Sequence, residues 1–221
     1  IIPANTLASG GYVVDNSCRF NDGSSDYLTI TPSASNRKTW TLSFWVKRSD
    51  LSSQKNLFSV TPSAGGSDDT WLTIVFGSDN AFYVQKYTGN ILVTSQLFRD
   101  VSAWYHIVVA MDTTQATDSN RTKLYVNGSQ VTSFSGTSYP TLNQDLGINT
   151  TDQLDIGRKD VGSGNYYDGY MADTYFIDGQ ALTPTDFGEF DADSGVWKPI
   201  AYSGTYGTNG FFLEFQDSGA L

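Results

Sequence analysis

Apolar residues recur at every second position along most of this chain, and clusters of Gly, Asn, Asp and Ser cut the alternating stretches short. A period of two marks strands that rest one face on a core. Residues 39–48 (TWTLSFWVKR) place Trp40, Leu42, Phe44 and Val46 on one side. Residues 70–76 and 81–87 flank a GSDN turn and predict a hairpin. Residues 104–111 (WYHIVVAM) are apolar on both faces apart from His106, the pattern of a strand covered twice. Residues 121–126 and 129–134 flank Asn127-Gly128, which tolerates the positive φ angles of a type I′ turn and predicts a second hairpin. Further strands are expected at 17–20, 26–31, 153–158, 170–177 and 211–215. One short helix is expected over 184–190, with Thr183 as N-cap and Pro184 at its first position. About ten strands joined by turns rather than helical crossovers predict an all-β fold, an antiparallel β-sandwich.

Composition narrows the picture. Lys and Arg number 13 against 23 acids, a formal charge of −10, and the acids are 21 Asp to two Glu, Glu189 and Glu214. Asp favours turns and caps where Glu favours helix interiors, so the skew argues against long helices. The charge excludes a nucleic-acid groove, which needs cations against successive phosphates. No run approaches the ~18 apolar residues of a spanning helix, so no membrane insertion is expected. The opening IIPANTLASGG lacks the charged and apolar regions of a secretory signal. Cys18 stands alone, which excludes an internal disulfide and suits synthesis in a reducing cytoplasm. The loops at 61–69, 112–120, 136–152 and 159–165 do not read as linkers, so one domain over 1–221 is expected.

Three stretches in order carry a family resemblance: a strand like 40–48; then 104–128, with Trp104, His106 and Leu124–Gly128 (LYVNG); then 169–186, with Gly169–Asp173 and Ala181–Asp186 (ALTPTD). The combination resembles the laminin-G-like branch of the concanavalin A-like lectin/glucanase superfamily. That resemblance implies a jelly roll of two curved antiparallel sheets, with 191–221 as an extension closing the sandwich. Residues 186–218 are similar to laminin-G-like segments of tailed-phage virion proteins, marine ones in particular.

The superfamily includes enzymes, and their chemistry makes demands on the residues present. Retaining glycosidases need two carboxyls about 5–5.5 Å apart, and glucanase relatives carry them in an E-x-D-x-(x)-E pattern. The nearest string here, Glu189-Phe190-Asp191-Ala192-Asp193, follows the predicted helix and reads as a solvated turn; Glu214-Phe215-Gln216-Asp217 lacks the middle acid. His106, the only histidine, has no G-x-S-x-G elbow to serve and reads as a hydrogen-bonded core residue. No enzyme is expected.

Calcium takes six to eight oxygen ligands, and relatives hold it at the rim or near the terminal strands. The candidates are Asp22 and Asp217, with Asx-turns to their own backbone as the alternative. Glycan binding needs aromatic platforms beside planar polar groups. Strand parity gives Trp71, Tyr83, Gln85 and Tyr87 as one candidate platform, with core packing as the alternative for each ring. Loop residues Tyr166, Tyr167 and Asp168 form a second candidate.

The resemblance thus implies a non-enzymatic virion module made in the host cytoplasm and exposed on the particle. It would sit in a tail fibre or other appendage, or on the capsid surface, and bind a host-surface glycan or protein. A decoration domain that contacts only other virion proteins, and a glycan hydrolase, are the alternatives. Homo-oligomers are compatible with either non-enzymatic role.

Overall fold

A computed structural model describes residues 11–62, 65–159 and 165–216. Its strands are β1 (Cys18–Phe20), β2 (Leu28–Ile30), β3 (Thr39–Arg48), β4 (Lys55–Val60), β5 (Leu72–Phe76), β6 (Ala81–Lys86), β7 (Gly89–Leu97) and β8 (Tyr105–Asp112). They continue with β9 (Thr122–Val126), β10 (Ser129–Gln130), β11 (Phe134–Thr137), β12 (Leu154–Ile156), β13 (Gly169–Asp178), β14 (Gly188–Phe190), β15 (Trp197–Pro199) and β16 (Phe211–Leu213). Two seven-stranded antiparallel sheets result. The first runs β1-β13-β3-β8-β9-β10, with β16 sharing the β13 edge; the second runs β11-β7-β6-β5-β4-β12-β2. β14 and β15 form a separate hairpin. The expected all-β sandwich is what the chain adopts.

Alternation explains how the layers meet. From the first sheet, Trp40, Leu42, Phe44 and Val46 of β3 point inward with Ile107, Val109 and Met111 of β8. From the second, Phe58, Leu72, Ile74, Phe82 and Val84 meet them, and Leu154 and Ile156 extend the layer. Burying such side chains contributes roughly 1.5–3 kcal/mol each.

The first sheet is covered on its other face as well, by the chain after β13. Phe187, Tyr202, Tyr206 and Phe212 pack on Val108, Ala110, Tyr125, Tyr175 and Ile177. Trp197 packs with Trp45 and Ala172. This explains why 104–111 is apolar on both faces. The Tyr175 and Phe212 rings stack 4.2 Å apart and nearly parallel.

The structure departs from three local expectations. The helix predicted over 184–190 is a single 3-10 turn, Pro184–Asp186, closed by a reciprocal capping box between Thr183 and Asp186. Gly188 must then pass under Trp197, where an added Cβ would lie 2.5 Å from the indole, so the chain extends into β14 instead of coiling on. Residues 129–134 do not form one strand: β10 stays on the first sheet while Phe134 begins β11 on the second. Strands β4 and β7, which no alternation announced, complete the second sheet. The Asn127-Gly128 turn forms as expected, with φ of 48° and 80°.

Candidate functional site

The face of the second sheet turned away from the core carries an unbroken polar row, in which Ser59, Thr73 and Asp155 are buried, Gln85 and Asn90 half-buried and Thr29 exposed. Thr29 of β2 lies opposite Asp155 of β12, and Asp155 lies opposite Ser59 of β4. Ser59 lies opposite Thr73 of β5, Thr73 opposite Gln85 of β6, and Gln85 opposite Asn90 of β7. Side chains at one register position of adjacent strands stand about 5 Å apart and interact directly.

Here they form a relay: Thr73 Oγ1 donates to Gln85 Oε1 at 3.0 Å, and Gln85 Nε2 donates to Asn90 Oδ1 at 2.8 Å. On the other side Ser59 Oγ donates to the Arg158 carbonyl at 2.8 Å, and Asp155 accepts from Gln153 Nε2 at 2.6 Å. Each amide is thereby oriented, with its remaining N–H groups turned away from the relay. Among the described residues, the second N–H of Gln85 and the amide N–H groups of Asn90 meet no acceptor.

Aromatic rings border the row. Trp71 sits two positions before Thr73 on the same face, half-buried, with Lys159 Nζ 5.3 Å from its ring centroid. Tyr83 lies two positions before Gln85 and donates its hydroxyl to Asp79 at 2.8 Å. Tyr87 is 55% exposed and rests against Gly66, where an added Cβ would lie 2.5 Å from its ring. At the β2 side, Tyr27 and Tyr166 pack 6.4 Å apart, and the Arg158 guanidinium lies 3.5 Å over the Tyr27 ring.

The structure therefore brings Trp71, Tyr83, Gln85 and Tyr87 to one face, and Tyr166 approaches the same sheet through Tyr27. Tyr167 and Asp168 go elsewhere. Tyr167 is fully buried, donates its hydroxyl to the Lys47 carbonyl at 2.7 Å and packs on Phe20. Gly169 makes that position available, since a Cβ there would collide with the Tyr167 hydroxyl. Tyr167 is thus a core residue and not an exposed loop tip. Asp168 pairs with Arg19 at 2.6 Å beside β13.

The other candidates resolve into structural roles. His106 is buried; its Nδ1 accepts from Trp197 Nε1 at 2.9 Å, so its Nε2 carries the proton and donates to Ser43 Oγ at 2.9 Å. Burial pushes its pKa down to about 3, and the ring stays neutral. Glu189 and Asp191 both reach Lys198 Nζ, at 3.2 and 3.1 Å. Asp191 also accepts from the Ser194 backbone and hydroxyl, which with Lys198 holds its carboxyl well below the usual range. A general acid needs the opposite shift.

The residues around Asp22 do not fit calcium. Its carboxylate holds Lys55 Nζ at 2.6 Å, and Asp50 holds the same ammonium at 2.7 Å, so a cation from the chain itself fills the position a metal would take. Asp217 lies outside the described residues, and among the described ones no group of three His, Cys, Asp or Glu gathers around a common point. A rim cavity of about 190 Å³ opens between Pro32, Asn149, Asn209 and Phe211. Its polar groups are spent on each other: Asn209 alone bonds Ser33, Ser35 and Asn149.

Two facing antiparallel sheets, one buried on both sides and one with a polar outward face, define a lectin-like β-sandwich. Residues 22–186 match the Laminin_G_3 family, described as the concanavalin A-like lectin/glucanases superfamily, and the chain belongs to that family. Among solved structures, a candidate carbohydrate binding protein from Bacteroides ovatus is similar at 14% identity with a TM-score of 0.51. The match covers 76% of this chain but only 44% of that one. The SAP-like pentraxin of Limulus polyphemus is similar at 16% identity and TM-score 0.49, over 86% of this chain and 92% of that one. At these identities the likeness concerns the fold alone. No curated protein matches the sequence.

Strand parity reveals the aromatic border in the sequence but not Ser59, Asn90, Asp155 or Lys159. The row becomes visible only when β4 and β7 are in place, because it runs across strands and leaves no periodic signal along any one of them.

Proposed function

We propose that this chain is a non-enzymatic glycan-binding module whose site is the outward face of the second sheet, centred on Trp71, Gln85 and Asn90, with buried Thr73 orienting Gln85. One observation carries the reading: an in-register polar row that ends in two oriented amides, Gln85 and Asn90, lies beside a half-buried tryptophan. Sugars are recognised by that pairing, ring C–H faces against an aromatic and hydroxyls against fixed planar groups. The fold class supports it, and the engaged state of Glu189 and Asp191 favours binding over hydrolysis. The likeness of 186–218 to phage virion segments supports a place on a virion, in an appendage or on the capsid surface, with a host-surface glycan as partner.

A glycan microarray that includes host surface polysaccharides tests the reading. Retention of a subset of glycans by the folded protein is expected. Uniformly blank spots would remove the reading and leave a decoration role. Release of reducing sugar, lost in Glu189→Gln, would overturn the non-enzymatic assignment.

A further inference from the structure

If the second sheet's outward face binds glycans, its unspent chemistry also narrows which ones, an inference that rests on the glycan-binding reading. Among the described residues, the carboxylates in and beside the row, Asp155, Asp68 and Asp79, are already engaged. Asp155 accepts from Gln153 and pairs with Arg158 at 3.3 Å. Asp68 pairs with Lys86 at 2.9 Å and accepts from the Thr88 backbone and hydroxyl. Asp79 takes the Tyr83 hydroxyl and the Ala81 N–H.

The unspent groups beside Trp71 and Gln85 are dominated by donors: the amide N–H groups of Asn90, the second N–H of Gln85, and the Lys159 ammonium; the exposed Tyr87 hydroxyl both donates and accepts. Among the described residues Lys159 pairs with no carboxylate, and its ammonium faces the Trp71 ring. A sugar hydroxyl both donates and accepts, so a surface rich in donors does not use it fully. A carboxylate or sulfate only accepts, and hydrogen bonds from cationic or amide donors to such groups are roughly twice as strong as neutral ones. A net charge of −10 makes this local excess of donors the more distinctive.

We infer that the face selects acidic glycans, with the anionic substituent held by Lys159 while the ring lies against Trp71 and the Gln85 and Asn90 amides donate to other oxygens of the chain. Polygalacturonate (carboxylate), dextran sulfate (sulfate) and plain dextran, immobilised at matched density, supply the test with wild type, Lys159→Gln, Lys159→Arg and Trp71→Ala. Wild type is expected to bind at least one acidic polymer about tenfold tighter than dextran. Lys159→Gln should erase that preference, Lys159→Arg should keep it, and Trp71→Ala should weaken every polymer that binds.

The carboxylate and sulfate arms identify which anion is read. Equal binding of dextran, unchanged in Lys159→Gln but lost in Trp71→Ala, would overturn the acidic preference and leave the glycan site standing. Binding of none of the three, together with a blank glycan array, would overturn both. Unchanged melting temperatures of the variants show that they remain folded.

Discussion

Lys55 is where the fold's handling of buried charge is most exposed to experiment. Its side chain is 3% exposed, and its ammonium is clamped between Asp22 and Asp50 at 2.6 and 2.7 Å. Removing one member of a buried ion pair costs about 3–5 kcal/mol because the remaining charge loses its partner. Both aspartates keep access to water, so the lower end applies, and Lys55→Met retains the apolar stem. The expected loss is about 3 kcal/mol at pH 7.

The pH dependence separates this charge effect from packing. Burial raises the Asp50 pKa, but the hydrogen bonds from Lys55 and Ser52 outweigh it and bring the carboxyl from 3.8 down to about 2. A depressed carboxyl contributes stability above its unfolded pKa and loses it as pH falls through the folded one. Discounted for solvent screening, the Asp50 contribution is about 1–2 kcal/mol, and most of it is gone by pH 2.5. Urea unfolding followed by tryptophan fluorescence at pH 7 and pH 2.5 should show the gap between wild type and Lys55→Met narrowing by about 1 kcal/mol. A gap of the same size at both pH values, or no gap at pH 7, would mean that the clamp stabilises nothing through its charges.

The remaining expectations concern other parts of the structure. His106 stays neutral in the fold down to about pH 3, whereas the unfolded ring protonates near 6.5, so between those values stability falls as pH falls, by up to about 1.4 kcal/mol per unit. Asp173 works against this trend. Burial, reinforced by Glu214 and Asp15 and partly offset by Tyr12, raises its pKa to about 6, which adds stability as pH drops toward 3.8. The histidine slope is therefore read as the difference between wild type and His106→Gln in urea midpoints at pH 7, 5.5 and 4. Gly128→Ala meets both a φ of 80° and a collision of the new Cβ with the Trp197 ring, and should lower stability by about 2 kcal/mol or more in the same assay. Melting curves in calcium and in chelator should superimpose if Lys55 is the cation that Asp22 holds; a calcium-dependent rise abolished by Asp22→Asn would show otherwise.

Strands with one buried face were legible in the sequence because Trp40, Leu42, Phe44 and Val46 alternate with residues of different character. β4 was not: all six of its residues are buried, polar Lys55, Asn56 and Ser59 included, so no contrast marks its period. β7 opens with Gly89-Asn90, which reads as a turn until Asn90 is seen opposite Gln85. Capping chemistry announces where the turn at Pro184 starts, whereas its end is set by Trp197, distant in sequence, against Gly188. That Trp71, Tyr83, Gln85 and Tyr87 share one face is legible from parity on 70–76 and 81–87. Tyr166 and Tyr167 are neighbours with opposite fates, and the difference lies in Gly169, whose missing side chain admits the Tyr167 ring beneath the sheet.

The proposed glycan site is tested most directly by NMR titration of the isotopically labelled protein with an oligosaccharide selected on the array. The signals to follow are the tryptophan indole and the Asn and Gln side-chain amide resonances. The Trp71 indole and the Gln85 and Asn90 amides should shift first and saturate together, while Asn209 in the rim cavity and Trp197 in the β14–β15 hairpin stay still. Shifts confined to Asn209 and its neighbours, with Trp71, Gln85 and Asn90 unmoved, would contradict a site on the second sheet.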